Sequence, residues 1–240
     1  MNEGPRGWAA PLHTRVLDLA GVGAGTALLD LGCGPGDLAR AAADRGARVS
    51  GIDLDPSAVA AAATAVPDGT FTVGDVHDLG PLRADVVTAV QLLAHVRNPV
   101  RALREAARVA PGGSVVLTVW GREAECDVRA FGEALAAWLP PRRQPDGAAP
   151  VTEPSRLRQL VELAGLEVVE LAEVVCPFTY PDEDAVVVPV LDSGIGRLAA
   201  RRTGPAQVRA AVLDRLAPHR TADGGYRLDN LFRVLLARPV

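Results

Sequence analysis

The sequence predicts an α/β fold built on a parallel sheet, and two observations carry this prediction. Apolar runs rich in valine and leucine alternate with alanine- and arginine-rich helical patterns between residues 26 and about 120, which is typical of βαβ units. The runs are almost continuously apolar, which indicates strands covered by helices on both faces of the sheet. The 240 residues, 48% of them hydrophobic, can bury one sizeable core, so we expect a single domain over 1–240.

Five strands and three helices explain the alternating region. The predicted strands are "TALLDL" (26–31), "ARVSGID" (47–53), "GTFTV" (69–73), "ADVVTAV" (84–90) and "GSVVLTVW" (113–120). Helices are predicted over 37–45, 56–65 and 99–109, with a shorter connection at 77–83.

The alternation ends after Trp120, and residues 121–166 are predicted to be a helical and looped region. An amphipathic stretch, "DVRAFGEALAAWL", is followed by "PPRRQPDGAAP" (140–150), whose prolines and glycine indicate a loop. A helix over 153–164 follows, with Thr152 as its candidate cap and Gly165 as its stop. It leads into a long strand over 166–180, and the chain ends in a strand over 226–238.

Residues 181–222 lie between the last two strands and are predicted to form short helices. This segment is too long for a plain connection, so we expect a lid over the substrate; a decorative helical insertion is the alternative. At the other end of the chain, residues 1–25 contain the amphipathic stretch "GWAAPLHTRVLDLAG". We expect this N-terminal segment to cap the cofactor, with simple docking of a terminus as the alternative.

Composition excludes several classes of function. A net charge of −4 gives no general attraction for nucleic acid or for an anionic membrane surface, so neither is an expected partner. The chain has no lysine, which excludes Schiff-base chemistry and a Walker-type phosphate lysine. No signal peptide or membrane span is evident, so a cytoplasmic protein is expected. The three cysteines, far apart in sequence, indicate neither disulfides nor a metal site.

The stretch "LLDLGCGPGDL" contains the most specific pattern in the chain. Gly32, Gly34 and Gly36 follow an apolar strand, at the edge where open parallel sheets bind ligands. A dinucleotide fingerprint would space its glycines as GxGxxG, and acids flank this turn at Asp30 and Asp37. These acids would repel a pyrophosphate but attract a ligand that carries an ammonium and a sulfonium, as S-adenosylmethionine does. A nicotinamide-dependent dehydrogenase is therefore a disfavoured alternative.

The stretch "LLDLGCGPG" resembles motif I of the class I S-adenosylmethionine-dependent methyltransferases. The resemblance continues in order through "VSGIDLDPSAV", "VGDVHDL" and "ADVVTAVQLLAHVRNPVRALREAARVAPGG" to the last strand. It implies a Rossmann-like, mostly parallel sheet of seven strands, with the last strand antiparallel between two others. It also implies that residues 26–120 are the cofactor-binding core and that the cofactor is S-adenosylmethionine.

The resemblance assigns cofactor contacts to the ends of the second and third strands. Asp53 would accept hydrogen bonds from both ribose hydroxyls. Its alternative role is to cap the next helix, which Asp55 would do better. Leu54 would lie against the adenine face, or be an ordinary packing residue. Asp75 would accept from the exocyclic amine of adenine, with the Val76 amide donating to the ring; a solvated turn residue is the alternative for Asp75.

Further contacts are implied around the glycine turn. Asp30 would orient the turn or meet the ammonium of the cofactor, to which Gly32 and Gln91 would offer backbone carbonyls. Asp37 is more simply explained as an acid that is favourable at a helix N-terminus. The remaining residues assigned to the turn are Cys33, as a small loop residue, and the glycines Gly34 and Gly36.

The acceptor is less well defined than the cofactor. After the fourth strand the chain reads "QLLAHV", which departs from the Asn/Asp-Pro-Pro-aromatic sequence of the DNA and glutamine methylating branches. The chain instead resembles the small-molecule branch of bacterial type, which points to secondary metabolism. Pocket walls are expected from Trp8, His13, His95 and Trp120. His95 is the candidate general base, and packing at the strand–helix turn is its alternative.

The expected reaction is methyl transfer to an oxygen, nitrogen or carbon atom of a small molecule. The alternative is a family member that no longer methylates, a cyclisation catalyst or a binding protein that keeps the cofactor as a structural element. The oligomeric state, monomer or homodimer, is left open.

Overall fold

The computed structural model describes residues 4–140 and 149–240, and a seven-stranded sheet is its central element. The order is β3-β2-β1-β4-β5-β7-β6, with β7 antiparallel to β5 and the pairs among β1 to β5 parallel. This confirms the predicted mostly parallel sheet with its antiparallel last strand. The strands are β1 (Ala27–Leu31), β2 (Arg48–Asp53), β3 (Thr70–Val73), β4 (Val86–Val90), β5 (Ser114–Trp120), β6 (Leu166–Tyr180) and β7 (Tyr226–Pro239).

Helices connect the strands much as predicted. The bounds are α1 (Ala10–Leu19), α2 (Asp37–Ala43), α3 (Pro56–Ala65), α4 (Pro99–Val109), α5 (Arg129–Leu135), α6 (Pro154–Leu163), α7 (Glu183–Asp192), α8 (Gly194–Thr203) and α9 (Pro205–Leu216). The connection at 77–83 forms turns. Of the loop predicted over 140–150, residues 141–148 lie outside the described part of the chain. No helix of the described residues is long and apolar enough to cross a membrane.

The caps of two helices test the sequence reasoning. Asp55 caps α3 by accepting hydrogen bonds from the amide and the hydroxyl of Ser57, both at 2.8 Å. The cap predicted for α6 is wrong, because Glu153, not Thr152, is the N-cap residue. The Pro at the first position of α6 sets that start. Gly165 follows the end of α6 with a φ of +80°, as its predicted role as a stop requires.

The described residues cluster into two compact units, whereas the sequence predicted one domain. The larger unit contains Ala10–Trp120, Ala149–Val174 and Phe232–Val240, and the smaller contains residues 4–9, 121–140 and 175–231. The region predicted over 121–166 is divided between them. The reason is that α6 joins the larger unit, where Leu157, Leu160 and Val161 are buried in the core of the sheet.

The larger unit buries apolar side chains on both faces of its sheet. On one face, α4 and α6 pack Leu103 and Leu160 into a cluster with strand residues that include Leu29 and Leu117. The intervening strand positions point to the opposite face, so Leu28 lies with the other fully buried side chains outside that cluster. Helix α1 contacts β5 and α2 and buries the side chains of Leu12, Val16 and Leu17 completely.

Candidate active site at the carboxyl ends of the strands

The residues singled out in the sequence gather at one edge of the larger unit. Strands β1 to β5 run parallel, so the loops that follow them emerge from the same edge of the sheet. In the register of β1 and β2, Leu31 lies opposite Ile52, which puts the glycine turn beside Asp53. The functional residues predicted in the loops after β1, β2, β3 and β4 therefore lie at the same edge.

The backbone conformation of the turn favours glycine at three positions. Gly32, Gly34 and Gly36 have φ values of +67°, +51° and +92°, which glycine adopts without strain. A Cβ atom on Gly36 would lie 2.9 Å from Cα of Ala62 in α3, so the turn also packs tightly against that helix. The amides of Gly32 and Cys33 donate to the carbonyl of Ile52, at 2.8 and 3.1 Å. The turn is therefore a bare backbone cradle, fixed against the second strand.

Asp53 is held ready to accept hydrogen bonds. The Gly34 amide donates to its Oδ2 at 2.9 Å, and the Asp55 amide donates to its Oδ1 at 3.0 Å. The carboxylate is half-buried, and each oxygen keeps acceptor capacity for a ligand hydroxyl. Since Asp55 caps α3, capping does not explain Asp53. Its position fits the predicted ribose contact.

Leu54 is an apolar side chain left in solvent next to this carboxylate. It is 69% exposed, although Gly51 and Ile52 in the strand just before it are buried. An exposed leucine alone is unremarkable. Adjacent to Asp53, however, it offers an apolar wall for a flat ring joined to a ribose.

The carboxyl group of Asp30 is buried near the end of β1, at the edge of the sheet where the loops emerge. Burial raises its pKa from 3.8 to about 7, a hydrogen bond from the Thr88 hydroxyl opposes the rise, and the nearby charge of Asp53 adds to it. The Thr88 hydroxyl donates to Oδ1 of Asp30 at 2.7 Å. A ligand cation placed near Asp30 would favour the ionised form of this carboxyl group.

Cys33 does not supply a nucleophile. Burial, followed by the charges of Asp30 and Asp53, raises the pKa of its thiol to about 12. The side chain therefore stays protonated, and it packs beside Gly51, where an added Cβ would lie 2.9 Å from Cβ of Cys33. The arrangement supports a small packing residue in the turn.

Gln91 has a strained backbone at the end of β4. Its φ of +55° makes it the one non-glycine residue with a positive φ in the described part of the chain. Thr118 holds it in this conformation, since the backbone amide and the side-chain Nε2 of Gln91 donate to the Thr118 hydroxyl at 3.1 and 2.9 Å. Strain of this kind, on the order of 1–3 kcal/mol, persists where neighbours enforce it and is frequent at functional sites.

The four residues predicted to line the acceptor pocket have different surroundings. His13 lies on α1, and burial lowers the pKa of its ring. The charge of Asp37 at the start of α2 acts in the opposite direction and partly offsets this shift. Trp120 ends β5 and packs against Phe232 with the rings tilted, their centroids 4.3 Å apart. His95 is exposed in the turn after β4. Their contact with an acceptor stays a prediction.

Trp8 belongs to the smaller unit. Its ring packs against Phe178, with centroids 5.1 Å apart, and Gly4 lies against both rings. Its predicted role in the pocket also stays a prediction.

Sequence reasoning missed three residues that hold the site together: Thr88, Thr118 and His77. Thr88 and Thr118 are fully buried polar residues inside strands β4 and β5. Their signal in the sequence is a hydroxyl in the middle of an otherwise apolar strand, which needs a polar partner. His77 is half-buried beside Asp75.

The site fits S-adenosylmethionine in its shape and its charges. A bare backbone turn, an oriented carboxylate and an exposed apolar side chain suit a nucleoside, and a second, buried carboxyl group suits an attached cation. The fold and the site thus define an α/β protein that binds a cationic nucleoside at the carboxyl ends of its strands.

Comparisons with known proteins agree with this class. A family model described as a methyltransferase domain matches residues 6–171. The chain is 36% identical to the ubiquinone biosynthesis O-methyltransferase of Thiobacillus denitrificans over 170 residues, which are 67% of this chain and 73% of that protein. The chain therefore belongs to the methyltransferase-domain family.

Two solved structures are similar over nearly the whole chain. The [4+2]-cyclase SpnF has a TM-score of 0.60 at 26% identity, with 95% of this chain and 80% of that chain covered. The magnesium protoporphyrin IX methyltransferase of Synechocystis PCC 6803, solved with bound SAH, has a TM-score of 0.57 at 16% identity, with 96% and 84% covered. Family and fold together identify an S-adenosylmethionine-dependent methyltransferase.

Asp53 allows a direct test of the cofactor site. We expect Asp53→Ala to weaken binding of S-adenosylmethionine by roughly 2–4 kcal/mol, because hydrogen bonds to a charged acceptor are each worth about 1.5–3 kcal/mol. Isothermal titration calorimetry measures this loss. Asp55→Ala is the matched control, since it removes a neighbouring acid that caps α3 and should spare affinity. Unchanged affinity of the Asp53 variant would exclude Asp53 from the site.

Asp30 makes stability depend on pH. Its pKa is raised from 3.8 to about 7 on folding, so its contribution to stability is full below 3.8 and is lost as the pH rises through 7. Between pH 5 and pH 8 this loss is about 2–3 kcal/mol. We expect Asp30→Asn to lack that part of the pH dependence, as measured by urea unfolding at both pH values. The same change in both proteins would show that Asp30 is ionised throughout.

Proposed function

We propose that the chain transfers a methyl group from S-adenosylmethionine to a small-molecule acceptor, with a hydroxyl oxygen as the first acceptor atom to test. The observation that supports S-adenosylmethionine as the methyl donor is the Asp53 carboxylate, which the Gly34 amide fixes beside the exposed Leu54. A hydroxyl oxygen as the acceptor atom is supported by the curated relatives, which are named as ubiquinone biosynthesis O-methyltransferases. Placement of the chain in secondary metabolism stays a prediction.

The chain contributes binding and alignment. S-adenosylmethionine, when bound, supplies the methyl group on its sulfonium, which the acceptor atom attacks from the side opposite sulfur. Asp53 and Leu54 would fix the nucleoside, and Asp30 with the carbonyls of Gly32 and Gln91 would fix the cationic end. Alignment of two reactants in this way can contribute about 7–11 kcal/mol at best, so the chain can accelerate transfer without a strong base.

We propose that residues 181–222 determine which acceptor is used. The family model matches residues 6–171, so this segment lies beyond the match. It is a folded insertion: α7, α8 and α9 contact one another, Val208 and Val212 are fully buried, and Arg209 binds Asp184 at 2.6 Å. The cofactor residues assigned above all lie in the larger unit, so the segment is free to vary with the acceptor.

A second candidate function is cyclisation without methyl transfer. It is favoured by the similarity to the [4+2]-cyclase SpnF, which extends over 95% of this chain. It is also compatible with a site whose assigned residues bind and align but include no established base. In this case the cofactor would serve as part of the site and would not be consumed.

Product analysis separates these two functions. The purified protein is incubated with S-adenosylmethionine and a panel of phenols, catechols and amines, followed by mass spectrometry of the products. Methyl transfer yields an acceptor heavier by one CH₂ unit and an equal amount of S-adenosylhomocysteine. A rearranged product of unchanged mass, with the cofactor intact, would instead support cyclisation.

The segment 181–222 is tested by its replacement with a short glycine-serine linker. We expect cofactor affinity to be retained and turnover of an identified acceptor to be lost. Because the segment contributes buried side chains, thermal unfolding of the variant must first show that it is folded. Loss of cofactor binding in a folded variant would contradict the proposed role.

His95 is tested by substitution once an acceptor is known. We expect His95→Ala to lower kcat by less than about 100-fold, below the 10²–10⁴ typical of an essential acid–base group, because alignment comes first in this displacement. Arg97→Ala, exposed in the same turn, is the control. A step in kcat near pH 6–7 that vanishes in the His95 variant, with a loss above about 1,000-fold, would establish His95 as the base.

A further inference from the structure

His77 forms a bridge between Asp75 and helix α4. Its backbone amide donates to Oδ1 of Asp75 at 2.9 Å, and its ring Nδ1 lies 2.6 Å from the same oxygen. On the other side of the ring, Nε2 lies 3.2 Å from the carbonyl oxygen of Asn98. The His77 side chain is 15% exposed, whereas that of Asp75 is 57% exposed. The ring is thus the covered member of the pair, and the carboxylate faces solvent.

The far end of this bridge is rigid. Asn98 is the N-cap of α4, and its side-chain oxygen accepts from the Arg101 amide at 3.0 Å. Helix α4 in turn buries Leu103 and Ala106 in the core of the sheet. The buried helix fixes the position of Asn98. The contact with Asn98 limits the movement of the His77 ring, and the ring in turn limits the movement of the Asp75 carboxylate.

The contacts leave one oxygen of Asp75 for a ligand. The His77 amide donates to Oδ1 and the ring Nδ1 faces the same oxygen, whereas Oδ2 takes part in none of the hydrogen bonds among residues 4–140 and 149–240. The His77 amide, followed by its ring, keeps the pKa of Asp75 below its usual value. Asp75 is therefore an ionised acceptor with a defined orientation, although it lies at the surface.

We propose that His77 is a positioning residue for adenine recognition: it orients Asp75 so that Oδ2 accepts a hydrogen bond from the exocyclic amine of the cofactor. This inference rests on the proposed assignment of Asp75 to the adenine. Without the ring contact, Asp75 would keep only the hydrogen bond from the His77 amide and would give up more side-chain freedom on binding, which weakens an otherwise identical contact. The bridge removes that cost before the ligand arrives.

The test compares two ligands that differ only at the exocyclic amine. The probes are S-adenosylhomocysteine and its desamino analogue, in which hydrogen replaces the amine, titrated by calorimetry. We expect His77→Leu to lower affinity for S-adenosylhomocysteine by about three- to tenfold, the cost of ordering one side chain on binding. Affinity for the desamino analogue should not change. His77→Asn, whose amide nitrogen can donate to Oδ1, should restore most of the difference.

A matched control exists in the smaller unit, where Nδ1 of His219 lies 3.4 Å from Asp127 and the His219 side chain is 24% exposed. His219→Leu should leave both affinities unchanged. Equal losses for the two probes in His77→Leu would show that His77 only ties the turn to α4, and no loss for either would remove its role; both results overturn the proposal.

The variant Asp75→Asn distinguishes a wrong role for His77 from a wrong assignment of Asp75 to the adenine. If that variant loses the preference for the amine while His77→Leu keeps it, the adenine assignment stands and the role of His77 is wrong. If Asp75→Asn keeps the preference, the assignment of Asp75 itself is wrong, and the positioning role falls with it.

Discussion

The burial of the Asp30 carboxyl beside Asp53 is the constraint around which the site is organised. A carboxyl group in this position is costly to ionise, as its raised pKa of about 7 shows. Thr88 supplies a hydrogen bond that limits the cost, but among the described residues no cation contributes to the shift of this pKa. The two acids thus form a site for positive charge that a cationic ligand can complete. Stability of the free protein is lowered by the same feature that favours the ligand.

Backbone strain is concentrated at the same edge of the sheet. Gln91 has a positive φ immediately after β4, and Gly36 allows the turn after β1 to approach α3 more closely than any Cβ would permit. Both conformations are enforced by buried neighbours, Thr118 in one case and the backbone of α3 in the other. A rigid sheet can impose such geometry because strands on both sides fix each loop. The residues proposed to contact the cofactor therefore lie on loops whose geometry the sheet fixes.

How much of this could be predicted from sequence depends on how local each signal is. The glycine spacing, the cap at Asp55 and the strand that ends at Asp53 are contained in a few consecutive residues, and the structure agrees with them. Thr88, Thr118 and the bridge from His77 to Asn98 depend on which strands and helices become neighbours, which short stretches do not encode. The division of residues 121–166 was missed for the same reason, since it follows from where α6 packs.

The acceptor is hard to predict because binding the methyl donor requires more specific residues than binding the acceptor does. The donor needs fixed charges and a bare turn, and these requirements leave a recognisable pattern in sequence. The acceptor needs only a pocket that aligns it, which many side-chain combinations can provide. A site that works by alignment can also favour a different reaction of a folded substrate, since neither outcome requires a dedicated base. The similarity of this chain both to O-methyltransferases and to a cyclase agrees with this division.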